Sequence, residues 1–318
     1  MTATAGLSPR TVIQLPITRQ LAAQYLANTV VPGSFEPSRL WGLCSRLVDV
    51  IDAESGAAVR AHHGLTGAGA DFPVGDGLFV LRFQAHWPEL FRASFGGRST
   101  AAAARLGSTL VLPAPFLGTG YTEYLPVAVP EYWLELTEAP VGAELWHLAE
   151  DGAEDWEQPL ARYVGRHTGW HAFPAAEHLG LPAGPVVPAP GGGGVARGLV
   201  VTFRGTPHLA DFGPNPAEAT AYRTAEDGTT LTRRLEFDQC EDIGYRRLLT
   251  SWRGAPFEVL ANTDGIATLA LTSGNAEEAA WLGLTADGRH AWRTRVPTDD
   301  LNEMTEEIRR PAAPGPAR

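Results

Sequence analysis

Acidic side chains beside glycine are the first residues in this chain whose types and spacing could do chemistry. AELWHLAEDG (Ala143 to Gly152) and ATAYRTAEDG (Ala219 to Gly228) share the pattern Ala-x-x-aromatic-x-x-Ala-Glu-Asp-Gly. A calcium loop needs oxygen ligands at several alternating positions and a distant Glu; each phrase supplies two carboxylates and stops. The strand-like residues around them fit a tight hairpin, because Asp-Gly tolerates the positive φ angles of a type I′ turn. TADG (Thr285 to Gly288) gives the same signal a third time. The first copy opens an acidic edge, Glu150, Asp151, Glu154, Asp155 and Glu157. That edge could steer a basic protein partner or be a solvated loop.

Three histidines, His167, His171 and His178, lie in GRHTGWHAFPAAEH. A His-x3-His spacing suits a metal when one helix face carries it. Gly169 and Pro174 interrupt such a helix here, so no metal site is assigned and a loop that packs Trp170 inward is expected. Phe91 to Pro126, rich in Gly, Ser, Thr and aromatics, has the chemistry of functional surface loops. No Gly-x-Ser-x-Gly frames its serines, so no catalytic residue is assigned. Gly96-Gly97 before a helix-like segment could hold an anion on backbone N–H groups. Arg92, Arg98 and Tyr121 are the candidate ligand-binding residues of this stretch. The chain holds 25 Lys+Arg residues and every one is arginine. Without lysine there is no P-loop lysine and no Schiff-base nucleophile, and no cofactor is implied. A net charge of −11 argues against nucleic acid, which needs a basic face.

These residues need elements to position them. Ile17 to Thr29 places Leu21, Ala22, Tyr25 and Leu26 on one helix face, and Pro37 to Ile51 places Leu40, Trp41, Cys44, Leu47 and Val48 likewise. GLFVLRFQAHW and STLVLPAP read as strands flanking a short helix at 100–106. From Glu131 onward, short strands recur between turn signals. VTFRGTP (Val201 to Pro207) and TSWRGAP (Thr250 to Pro256) repeat an aromatic-Arg-Gly-small-Pro turn whose arginines, Arg204 and Arg253, are either structural or binding residues. Leu181 to Gly198, with its prolines and four successive glycines, reads as a linker. The expected fold is α+β. Its N-terminal domain (1–180) carries helices near the N-terminus and then mainly antiparallel β; a β-rich domain (199–308), a small barrel or a strongly twisted sheet, and a disordered tail (309–318) follow the linker (181–198).

An apolar fraction of 44% and a charged fraction of 19% describe a folded protein. No apolar run reaches the roughly 18 residues of a membrane span, and the first residues lack the pattern of a secretory leader. Cys44 and Cys240, the two cysteines, fit a reducing cytoplasm. Nine tryptophans could stack on sugars or peptides, although strand positions place most of them in a core.

Ser251 to Met304, from Trp252-Arg253-Gly254 through Asp264-Gly265 to Val296-Pro297, resembles an SH3-like small β-barrel. AELWHLAEDGAEDWEQPLARYVGRHTGW is similar to hairpins of actinobacterial immunity proteins. These neutralise secreted polymorphic toxins, including NAD glycohydrolases of the tuberculosis-necrotizing-toxin type. The resemblance implies a cytoplasmic inhibitor that plugs a toxin's active cleft. The functional expectation is therefore a non-catalytic protein whose partner is another protein, with no nucleic acid and no membrane. The alternatives are an enzyme acting on a nucleotide or small molecule through the 91–124 loops, and a sugar- or peptide-binding module.

Overall fold

Strand β1 (Val12–Ile17) is covered on both faces, and it sits between β2 (Arg39–Arg46) and β3 (Leu78–Gln84). The computed structural model describes residues 11–28, 38–63, 65, 72–85, 91–93, 131–185, 197–215, 217–227, 229–288 and 290–310. From β1 the ladder extends one way through β3, β6 (Glu144–Leu148), β7 (Glu157–Gly165) and β8 (Gly169–Ala172). The other way it passes through β2, β5 (Glu131–Glu138) and β4 (Phe91–Ala93).

A second run starts at β12 (Thr230–Glu236) and passes through β11 (Glu218–Thr224), β10 (Thr206–Phe212) and β9 (Gly198–Phe203) to β13 (Asp242–Trp252). It continues through β14 (Ala255–Thr263), β15 (Ile266–Leu271), β17 (Ala291–Pro297) and β16 (Thr285–Gly288). The eleven-residue β13 is the pivot. Asp242–Arg246 pair with β9 and Leu249–Trp252 with β14 along one edge, while Tyr245–Leu249 pair with β18 (Thr305–Arg309) along the other. Ile17 opposite Gly288 joins the two runs, and every pairing is antiparallel.

The α+β expectation is corrected by this arrangement. Among the described residues strand accounts for 51% and helix for 17%, in one large sheet with four α-helices that are not gathered at the N-terminus. These are α1 (Arg19–Ala27), α2 (Gly56–His62), α3 (Pro174–His178) and α4 (Ala276–Leu282). Helix α1 forms where its apolar spacing places it. The Thr18 side chain caps its first turn, and Asn28 ends it in the left-handed region at φ 49°. The helix expected over Pro37 to Ile51 is instead β2 followed by a 3-10 turn at Leu47–Val50. Residues 39–45 are all buried, and a strand covered on both faces loses the alternation that would betray it. The separate SH3-like barrel gives way to β13–β17 woven into the common sheet. The helix and strand expected over 100–115 lie outside the described residues, as do 311–318. Arg309 closes β18, and the Arg310 guanidinium bonds Asp242 at 3.0 and 3.2 Å.

The largest apolar core takes side chains from both sides of the Pro/Gly stretch, among them Leu15, Leu26, Leu81, Tyr163, Leu199, Phe212 and Tyr245. A second core gathers Phe257, Val259, Leu269 and Leu282 beneath α4. Trp41, Leu136 and Leu260 fill the seam. The open edge of β8 is closed by one side chain. The Asn28 amide accepts the Trp170 N–H at 2.7 Å and donates to the Trp170 carbonyl at 2.8 Å, standing in for a neighbouring strand.

The turn signals divide. Arg204-Gly205, Arg253-Gly254 and Asp264-Gly265 all have positive φ at both residues and form two-residue hairpin turns. The AEDG phrases instead lie in longer hairpin connections. The first lies in an eight-residue connection between β6 and β7, and the second in a five-residue one between β11 and β12. In TADG, Asp287 and Gly288 belong to β16 itself, and Gly288 pairs with Ala291 of β17. The two AEDG units also pair differently. β7 pairs with β8, whereas β12 does not pair with β13, so the echo is local and no duplicated unit underlies it.

Candidate functional site at the acidic end of the sheet

The connection 149–156 is docked, not free. Ala149 N–H donates to the Trp156 carbonyl at 2.8 Å, and Gly56 N–H, at the start of α2, donates to the Ala149 carbonyl at 2.6 Å. A Cβ on Gly56 would come within 2.4 Å of the Leu148 carbonyl oxygen, so glycine alone allows this approach. Arg60 of α2 then fastens the end of the sheet. Its Nε donates to Glu150 Oε1 at 2.9 Å, and its other nitrogens donate to the carbonyls of Phe72 and Gly77 at 2.9 and 2.8 Å. Glu150 therefore has a structural partner ninety positions away in the chain.

Two further arginines of this sheet are equally occupied. Arg46 bonds Asp49 at 2.7 and 2.5 Å, and Arg82 bonds Glu157 and, at 2.9 Å, Gln14. Asp52, Glu54, Asp76, Asp151, Glu154 and Asp155 are exposed and have no cation within ion-pair distance among the described residues. Ile51, next to Asp52, and Val74, two positions before Asp76, are 67% and 74% exposed. Single exposed aliphatics are ordinary, but these two adjoin unpaired acids and offer area that a partner could cover.

Of the residues singled out in the sequence, Asp151, Glu154 and Asp155 share this surface, and Glu150 holds it in place. Arg92 lies in β4 opposite Trp133; Arg98 and Tyr121 fall outside the described residues. Asp52, Glu54, Asp76 and the fastening Arg60 were missed, because the turns that gather them are distant in sequence. Replacing Glu150 by alanine should strand the buried Arg60 charge and cost about 2 kcal/mol of unfolding free energy in urea titration. Asp151→Asn should cost almost nothing.

A second polar centre is built of groups the sequence did not single out. Asp211 of β10 and Glu138 of β5 are both fully buried and converge on Arg166, in the β7–β8 turn. Arg166 N–H donates to Asp211 Oδ2 at 2.6 Å, its Nη2 to Glu138 Oε2 at 2.5 Å, and the Tyr222 hydroxyl donates to Asp211 Oδ2. Burial pushes the Asp211 carboxyl up to about 7 against the pull of Arg166, with Glu138 adding to the rise. The neighbouring Tyr163 hydroxyl is also pushed up by burial, and His167, edge-on to Tyr222, is pushed down by burial and Arg166. Gly165, at φ 140°, is required here, since a Cβ would stand 3.1 Å from Asp211 Oδ2 and 3.2 Å from the Tyr222 oxygen. Both carboxylates are sealed from solvent, so this centre joins strands and offers no seat to a substrate.

The three histidines are not brought together. His167 faces Tyr222, His171 is exposed on β8 and His178 is exposed at the end of α3. Among the described residues no group of three or more His, Cys, Asp or Glu could hold a metal ion. A cavity of about 500 Å³ opens beside β8, lined by Trp170, His171, Phe173, Pro174 and Glu177. Trp41, Trp133, Trp170 and Trp252 are buried, while Trp146, Trp156 and Trp292 pack partly buried against cores. Among the described tryptophans Trp281 alone is largely exposed, so they form no stacking row. No helix is long and apolar enough to cross a membrane. No family model, curated protein or solved structure matches this chain.

Proposed function

We propose that the protein acts by binding another protein, and that the acidic end around Asp151, Glu154 and Asp155 receives a basic surface of that partner. The observation that carries this reading is the set of six exposed carboxylates with no ion-pair partner among the described residues, on turns that Arg60 fastens and accompanied by the exposed Ile51 and Val74. Unpaired charge of one sign on a firm scaffold steers and orients an opposite surface, and adjacent aliphatics give it something to bury. A toxin whose cleft is basic is one partner of this chemistry, which is the immunity-factor role that the hairpin resemblance implies.

The test compares the wild-type chain with the triple variant D151N/E154Q/D155N as baits in a lysate of the native source. A specific partner should be retained by the wild type, released by high salt, and held at least about tenfold more weakly by the variant. Equal retention by both baits would sink the reading.

A further inference from the structure

We propose that the outer end of the β9–β12 sheet is a second recognition surface, one that takes an acidic, extended segment of a protein partner. Four consecutive residues of β12, Leu231 to Arg234, are exposed, which is unusual in a chain whose strands are mostly covered. Two guanidiniums lie over one aromatic ring there: Arg233 at 4.5 Å and Arg204 at 5.2 Å from the Phe203 centroid. Arg223 stands opposite Leu231 on the same pleated face as Arg233. Arg204, Arg223 and Arg233 have no carboxylate within ion-pair distance among the described residues, whereas Arg46, Arg60, Arg82, Arg166 and Arg247 all do. Arg234, on the opposite face, is paired with Glu218.

The backbone supplies the second half of the surface. β12 pairs with β11 over its whole length, from Thr230 to Glu236, and with no other strand among the described residues. Its outer edge therefore presents main-chain donors and acceptors at strand spacing, the template that an added strand uses. The three arginines offer forked donors to carboxylates, while Phe203 and Leu231 offer apolar area to the side chains between them. Together these features select an extended peptide with acids at alternate positions. With a net charge of −11, the chain as a whole repels such a peptide, so local contact and not long-range steering must hold it. This surface has the opposite charge to the acidic end and does not depend on it.

The probe is a short blocked peptide alternating Glu with Val and Thr, compared with its Gln counterpart by fluorescence anisotropy on the full chain. The Glu peptide should bind at least about tenfold more tightly than the Gln peptide, and R223A/R233A should lose about tenfold or more. The unfolding midpoint of R223A/R233A should stay at the wild-type value, and amide exchange over 230–236 should slow when the peptide binds. The variant D151N/E154Q/D155N should bind the peptide like wild type, which separates this proposal from the preceding one. No binding would overturn the proposal and leave the arginines as guards against edge pairing. Equal binding of the two peptides, no loss in R223A/R233A or unchanged exchange over 230–236 would overturn it too. So would arginine-dependent self-association without peptide, which would make a second copy the occupant.

Discussion

Arg247→Ala should lower the unfolding free energy by about 3–5 kcal/mol, the largest single effect expected in this molecule. Arg247 is 3% exposed at the pivot of β13 and neutralises buried acids from separate elements. Its Nε donates to Glu258 at 2.7 Å, and its Nη1 to Glu135 at 2.9 Å and Glu307 at 3.4 Å. Burial alone would weaken its charge; Glu258 and Glu135 more than offset that and raise its pKa. Once it is removed, Glu258, fully buried, keeps among the described residues the Arg197 cation at 3.6 Å, and Glu135 keeps Arg309 at 2.5 Å. The cost comes from stranded charge, not from lost attraction. Replacing Arg197, Arg247, Glu135 and Glu258 together by methionine should therefore recover most of it, since leaving Arg197 would strand a buried cation. Urea denaturation followed by tryptophan fluorescence measures both. A loss under about 1 kcal/mol in Arg247→Ala would refute the account.

Asp211→Asn should change how stability depends on pH. The folded pKa of Asp211, about 7, lies above its unfolded value near 4. The native state thus holds a proton that the unfolded chain has released. The associated stability is complete below about pH 4 and is lost as pH rises through about 7, a fall on the order of 2–4 kcal/mol. Asp287, also raised by burial, contributes with the same sign. His167, lowered by burial, contributes with the opposite sign but is exposed at the surface, so its part is small. Wild-type protein should therefore lose stability between about pH 5 and pH 8, and Asp211→Asn should lose distinctly less over that range. Adding Asp287→Asn should flatten the profile or tilt it the other way. Identical slopes for wild type and Asp211→Asn would show that the carboxyl is ionised throughout.

Much of the strand content was legible, and the reasons are local. β3, β5 and the Arg-Gly hairpins carry β-branched and aromatic runs bounded by turn residues, and α1 shows its helical spacing plainly. β2 was read as a helix because Leu40, Trp41, Cys44, Leu47 and Val48 match that spacing while both faces of the strand are covered. Asp264-Gly265 forms the tight turn it signals, AEDG lies in longer hairpin connections, and Asp287-Gly288 belongs to a strand.

The polar centres were not legible at all. Arg60 reaches Glu150, Arg166 reaches Asp211 and Arg247 reaches Glu135 across 90, 45 and 112 positions. No spacing rule spans such gaps, and each of these residues looks in isolation like an ordinary surface charge. The acidic end was half visible: its loop carboxylates are contiguous in sequence, while Asp52, Glu54 and Asp76 join only through folding.

The partner exchange along β13 bears on the order in which the chain can assemble. β9 is already made when β13 emerges and β14 follows it directly, but β18 is made about sixty residues after the segment it covers. Until it arrives, one edge of β13 stays open and Glu135 waits for Arg309. Closing so long a loop is an entropic delay that only the final ladder rewards. A nascent chain should therefore pause with an exposed, charged seam, a natural point for chaperone capture.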